Sequence, residues 1–181
     1  KSTDSFNFVP MSGVSPGWAN SYPKVGPIVI SEIMYHPDWP VGGSYTNNRY
    51  EYVELHNITG EPVRLVDETT GVPWAFSEGI DYSFPAEPDD VTIGAGDYIV
   101  VVRHVGAFMW RYPGVPAEKV FGPYENKLSN SGDTVEISKP GDIDLYGRQH
   151  YIRIDRVAYS DGSHPDDQPG GVDLWPAEAY A

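Results

Sequence analysis

Apolar and polar residues alternate over short stretches of this chain, and Gly, Pro, Asn or Asp close almost every stretch. A period of two places successive side chains on opposite faces of a strand, so the pattern predicts many short strands. The first is expected over 28–35. It puts Val29, Ser31, Ile33 and Tyr35 on one face and Ile28, Ile30, Glu32 and Met34 on the other. A loop over 36–48 follows, and a second strand over 50–57 turns Val53 and Leu55 inward and Tyr52, Glu54 and His56 to the opposite face. Short strands are expected over 62–66, 74–76 and 82–84. The segment 91–97 turns into a strand over 98–103, whose run Val100-Val101-Val102 suggests central burial. Residues 106–112 are the only plausible helical turn, and 120–121 reads as an edge piece. A polar turn over 128–133 leads into 134–138, with Val135 and Ile137 inward. A glycine-containing connection over 141–147 leads to a last long strand over 151–159. Strands at this spacing predict an antiparallel sandwich. Its core is expected to contain Val53, Leu55, Val100, Val102, Val135, Ile137 and Val157.

Residues 1–26 are rich in Ser, Gly and Pro without helical periodicity. They read as an arm or linker, pinned to the domain by Phe6, Phe8, Trp18 or Tyr22, and 27–181 as the sandwich domain. With 181 residues the chain can bury a full core without a metal or a disulfide. The 17 prolines and 19 glycines leave little room for long helices, and 13 tyrosines and five tryptophans suit pleated, half-buried surfaces.

Charge narrows the partners. Twenty-six acidic residues against 12 Lys plus Arg give a net charge of −14, which repels nucleic-acid phosphate and favours solubility. No cysteine is present, so disulfides, thiolate zinc sites and a cysteine nucleophile are excluded. No apolar run approaches the roughly 18 residues of a membrane span, so no membrane insertion is expected.

Ile28-Val29-Ile30-Ser31-Glu32-Ile33-Met34-Tyr35-His36-Pro37 resembles the opening of the prokaryotic lamin-tail domain, and Glu51-Tyr52-Val53-Glu54-Leu55-His56-Asn57 its second strand. The segment from Pro62 to Leu65 resembles its third strand. Phe84-Pro85 and Thr92-Ile93-Gly94-Ala95-Gly96-Asp97-Tyr98 are similar to its middle. Leu128-Ser129-Asn130-Ser131-Gly132-Asp133 is similar to a late turn, and Asp155-Arg156-Val157-Ala158-Tyr159-Ser160-Asp161 to the strand after it. These motifs occur in order over about 27–161. The resemblance implies an all-β, immunoglobulin-like antiparallel sandwich found within large secreted or surface proteins, beside hydrolases, nucleases or kinase-like domains, and it implies no catalytic residues. The chain departs from the pattern at its end. Family members follow a segment like Trp175-Pro176-Ala177 with a turn and a short apolar strand; here that strand is expected to be missing or supplied otherwise.

Candidate chemistry comes in three kinds. If the first two strands pair antiparallel, Glu32 and Glu54 share a face, where like charges cost energy unless compensated. Calcium is one compensator; Arg153, Arg156, a backbone turn or protonation of one carboxylate is the alternative, and it is preferred. The cluster Asp161, Asp166 and Asp167 lacks the EF-hand pattern and reads as a solvated turn. His36, His56, His104, His150 and His164 are scattered without zinc-site spacing, there is no G-x-S-x-G, and Glu51 and Glu54 point to opposite faces, so no enzyme is expected. Aromatics are the better candidates. Trp39, Tyr45 and Tyr50 flank one loop and could stack on sugar C–H faces, whereas Trp74 and Trp110 are expected to be buried.

The leading expectation is a non-catalytic structural or interaction module, extracytoplasmic, that positions or attaches neighbouring domains. A carbohydrate-binding module, with polysaccharide or a cell-surface component as partner, comes second, and a calcium-stabilised adhesion domain third. Phe8-Val9-Pro10-Met11 and Ser15-Pro16-Gly17-Trp18-Ala19-Asn20 resemble a linker between tandem domains, which leads to the expectation of a related domain before Lys1.

Overall fold

A computed structural model describes residues 26–162, with Val14, Pro16 and Gly17. Most of the expected arm, Asp166, Asp167, His164 and the segment from Trp175 to Ala177 lie outside the described residues. The described chain forms β1 (Ile28–Met34), β2 (Tyr52–Asn57), β3 (Val63–Arg64), β4 (Ala75–Glu78), β5 (Thr92–Ile93) and β6 (Tyr98–Val102). Then come one helix, α1 (Val105–Arg111), and the strands β7 (Val120–Phe121), β8 (Gly132–Ile143) and β9 (Gln149–Ser160). The order β1-β2-β6-β7 makes one sheet, β4-β8-β9 a second, and β3-β5 a short ribbon. Pairing is antiparallel except between β6 and β7. The β-rich class expected from the alternation is what forms.

Val53, Leu55, Ile99 and Val101 of the first sheet meet Val135 and Ile137 of the second in a shared core, with Phe84 and Leu128 buried beside them. The valine run is buried on both faces, as expected, but the core assignment needs correcting. Val100 and Val102 belong to a separate cluster with Tyr52 and Phe108. Strand alternation sends Ile99 and Val101 to the sandwich interior and Val100 and Val102 to the other face, which α1 covers. Val157 is only half-buried and lines a groove at the sheet edge.

The helix forms because His104 caps it, its Nδ1 accepting from the Ala107 N–H at 3.0 Å. Pro113 follows its last turn and cannot continue it. Phe108 packs edge-on against Tyr52, centroids 5.3 Å apart.

The alternation expected in β1 fails at Ser31. The pairing register shifts between Ile30 and Glu32, a bulge that adds one residue opposite β2. Ile30 therefore packs on the core and so do Ile33 and Tyr35, while Met34 packs on the helix side. Without the extra residue, Glu32 would share the core face with Ile28 and Ile30.

The connection expected over 141–147 is shorter than expected: 141–143 belong to β8, and the turn lies over 144–148. β8 and β9 pair from Gly132–Ser160 out to Ile143–Gln149, well past β4, whose pairing with β8 covers only Glu136 to Ser138. The turn at the tip is held by Asp144, whose carboxylate accepts from the N–H groups of Tyr146 and Arg148 at 2.8 and 2.9 Å. Gly147, at φ 78°, supplies the left-handed residue this turn needs.

Candidate functional site

Glu32 and Glu54 do lie opposite each other across β1 and β2, as expected. Neither Arg153 nor Arg156 serves them. The Tyr52 hydroxyl donates to Glu32 Oε1 at 2.7 Å, and the Ser31 hydroxyl donates to Glu54 Oε1 at 2.8 Å. Burial, followed by the Glu32 carboxylate, raises the Tyr52 phenol well above its ordinary pKa, so it keeps the proton it donates. Arg153 and Arg156 are engaged elsewhere. They pair with the nearly buried Glu136 at 2.6 and 3.5 Å, beside the Ser77 hydroxyl at 2.8 Å. Among the described residues, no three His, Cys, Asp or Glu side chains converge where they could hold a metal ion. Thermal melts in calcium and in excess chelator should therefore coincide, and a chelator-induced fall of more than a few degrees would contradict this account.

The groove beside this pair lies between the edges of the two sheets. It has a volume of about 250 Å³ and runs between residues 30–33 of β1, with Tyr35 just beyond it, and Val157 and Tyr159 of β9. Asp155 of β9 reaches across, its Oδ2 accepting from the Ile30 N–H at 2.8 Å, and the Tyr35 and Tyr159 rings meet at 4.5 Å.

Glu51 was weighed in the sequence only as half of an unworkable acid pair. It is fully buried and holds three segments together. Its Oε2 accepts from the Tyr124 hydroxyl at 3.1 Å, the Leu128 N–H at 3.0 Å and Arg103 Nη1 at 3.3 Å. Burial raises its pKa above 4.5, outweighing those three partners, which all act to lower it. Its position, one residue before β2, gives no sign that partners 52 to 77 residues away will converge on it. Every partner given for its carboxylate lies inside the fold.

The aromatic candidates come together at one end of the first sheet, where the loop 36–50 packs on α1. Tyr50 is fully buried, which corrects its assignment as a ligand-stacking ring. It sits 6.2 Å from both Tyr45 and Trp110, and the Arg111 guanidinium lies 5.6 Å over its face. Tyr45 is half-buried and also contacts the His104 ring at 4.8 Å. Trp39 is 60% exposed. Trp110, expected inside, is 48% exposed, because the short helix turns Ala107 and Phe108 to the sheet and leaves that indole outside. Trp74 is buried, as expected. Arg111 fastens the two halves by donating from Nη1 to the Asp38 carbonyl at 2.6 Å, so the residues next to Trp39 and Trp110 in sequence are bonded to each other.

Compared with known protein families and with curated proteins, the chain finds no match in either. No helix among the described residues is long and apolar enough to cross a membrane.

Proposed function

We propose that this chain is a non-catalytic structural or interaction module of a secreted or cell-surface multidomain protein, with an immunoglobulin-like sandwich of lamin-tail type. The likeness of the motifs supports the family reading. Their order along the chain agrees with the strands on which they fall: the opening motif on β1, the second on β2, the middle one on β5 and β6, and the last on β9.

The observation that carries the interaction reading is the β8–β9 arm. Beyond β4 it is a two-stranded ribbon with Ile143, Leu145, Tyr146, Tyr151 and Ile152 exposed. A ribbon with so many apolar side chains in water gains by covering them, and contiguous exposed apolar surface marks contact sites. The arm positions the module against a neighbouring domain of its own polypeptide. A photo-reactive phenylalanine analogue at Tyr146 in the natural full-length polypeptide should cross-link to that domain. The L145D variant should abolish the cross-link while the melting temperature stays within a few degrees. Absence of any interdomain cross-link from that position would sink the proposal.

A further inference from the structure

We propose that the end of the first sheet formed by the loop 36–50 and α1 is a binding site for a neutral, β-linked polysaccharide, with Trp39 and Trp110 as its stacking surfaces. This is independent of the arm and of the domain it contacts.

The two indoles are the largest exposed rings at that end; the Trp110 ring is supported from beneath, and Trp39 is anchored through the backbone beside it. Trp110 is packed on the buried Tyr50, and the Asp38–Arg111 bond fastens the segment that carries Trp39. Rings already held in place lose little freedom when a ligand arrives, which is the cost that limits weak binders. Sugars of flat, β-linked chains present C–H faces to such rings, and the indole offers both a broad apolar face and an N–H donor.

The rim supplies the hydrogen-bonding chemistry that a polyol needs. Ser44, Thr46 and Arg49 are exposed beside Tyr45, so the patch is not a continuous apolar surface of the kind that covers itself with protein. A second observation is independent of exposure. The Tyr50 hydroxyl is buried and has no hydrogen-bond partner among the described residues. Buried polar atoms are rarely left so, and an unmade bond there is costly. The hydroxyl points into the underside of the turn that follows Trp39, where the Gly43 N–H donates to the Pro40 carbonyl at 2.9 Å. A Cβ at Gly43 would stand 2.7 Å from that oxygen, so the position admits no side chain. The phenol is closed off by this turn, so it gains a partner only if ligand binding lifts the turn.

Charge selects among glycans. With a net charge of −14 the molecule repels uronic-acid polymers, and Arg111 is already committed to the Asp38 carbonyl and the Tyr50 and Tyr112 rings. Anionic chains are thereby disfavoured, and the proposal commits to neutral ones.

The test uses the whole chain with cellohexaose, xylohexaose, laminarihexaose and chitohexaose as probes and polygalacturonate as the charged control. Titration is followed by tryptophan fluorescence and calorimetry. At least one neutral probe should bind, and W39A and W110A should each weaken binding about ten-fold or more. Both variants should keep the wild-type circular dichroism spectrum, W39A the melting temperature as well, and W110A should melt a few degrees lower because it uncovers Tyr50, while L145D should bind like wild type. The proposal is overturned if no neutral probe binds at about 1 mM. It is also overturned if the W39A/W110A double variant binds as well as wild type, or if polygalacturonate binds best. Sedimentation adds a last arm: self-association that W39A abolishes would assign the patch to a protein contact and overturn the proposal.

Discussion

Glu51→Ala should cost about 3–5 kcal/mol of folding stability, because it strips a fully buried group from partners on three segments. At about 2–4 °C per kcal/mol for a chain of this size, the melting temperature should fall by about 10 °C. The substitution leaves the Leu128 N–H and the Tyr124 hydroxyl buried without an acceptor. Arg103 suffers less, since a quarter of its side chain is exposed and water can reach it. Glu51→Gln should cost less, because an amide oxygen can still accept from Leu128 and Tyr124. The pair also gives a signature in pH. A carboxyl whose pKa is raised in the folded state binds its proton more tightly there than in the unfolded chain. Its stabilising contribution is therefore fully present below 4.5 and is lost as pH rises through the folded value. The stability advantage of wild type over Glu51→Gln should shrink across that window. Chemical denaturation at a series of pH values measures it. A constant difference, or a Glu51→Ala cost under about 1 kcal/mol, would falsify this account of Glu51.

Asn57→Asp should be at least as damaging, although it changes almost no volume. Asn57 is fully buried at the end of β2, and its amide Nδ2 donates to the carbonyls of Glu61, Ile93 and Gly94 at 2.8, 3.0 and 2.9 Å. Its Oδ1 accepts from the Thr59 N–H at 3.0 Å and the Thr59 hydroxyl at 2.7 Å. Three acceptors facing one group can be satisfied only by a donor. A carboxylate there would meet them oxygen to oxygen, in a place where water cannot intervene. The expected loss is about 3–5 kcal/mol near neutral pH, with partial recovery on acidification as the new carboxyl takes up a proton. Asn57→Ala should lose less, because it removes the donor without inserting a charge. Equilibrium urea unfolding of the two variants ranks them, and an Asp variant more stable than the Ala variant at pH 7 would contradict the assignment of the amide.

Both residues show where the sequence is readable and where it is not. Val53 and Leu55, or Val135 and Ile137, declare their burial because a period of two needs only neighbours along the chain. The valine run in β6 likewise announces burial on both faces, yet the sequence does not say that one of those faces belongs to a helix. That depends on Ala107 and Phe108 packing against Tyr52. The bulge at Ser31 is invisible to alternation, which assumes an unbroken register. The reach of the β8–β9 arm was hidden by Gly141, taken for a connection although the strand runs on through it. Among the ring candidates, Trp39, Tyr45 and Tyr50 share one loop in the sequence, but their burial differs: Trp39 is exposed, Tyr45 half-buried and Tyr50 fully buried. Local sequence gives no sign of this, since the loop is fastened by Arg111, 73 residues from the carbonyl it holds. The helix cap escaped notice because His104 stands where a Ser, Thr, Asp or Asn would have signalled it.

The irregular edge of β1 bears on how this molecule keeps to itself at high concentration. An outer strand offers a row of unmatched amides that can recruit another chain and begin a fibril. On β1 the Ile30 amide is already claimed by Asp155, and the next position is kinked by the extra residue at Ser31. An approaching strand finds neither a straight ladder nor the Ile30 donor free at the middle of that edge. An extra residue that first serves to keep Glu32 out of the core thus also acts as a guard against runaway sheet growth.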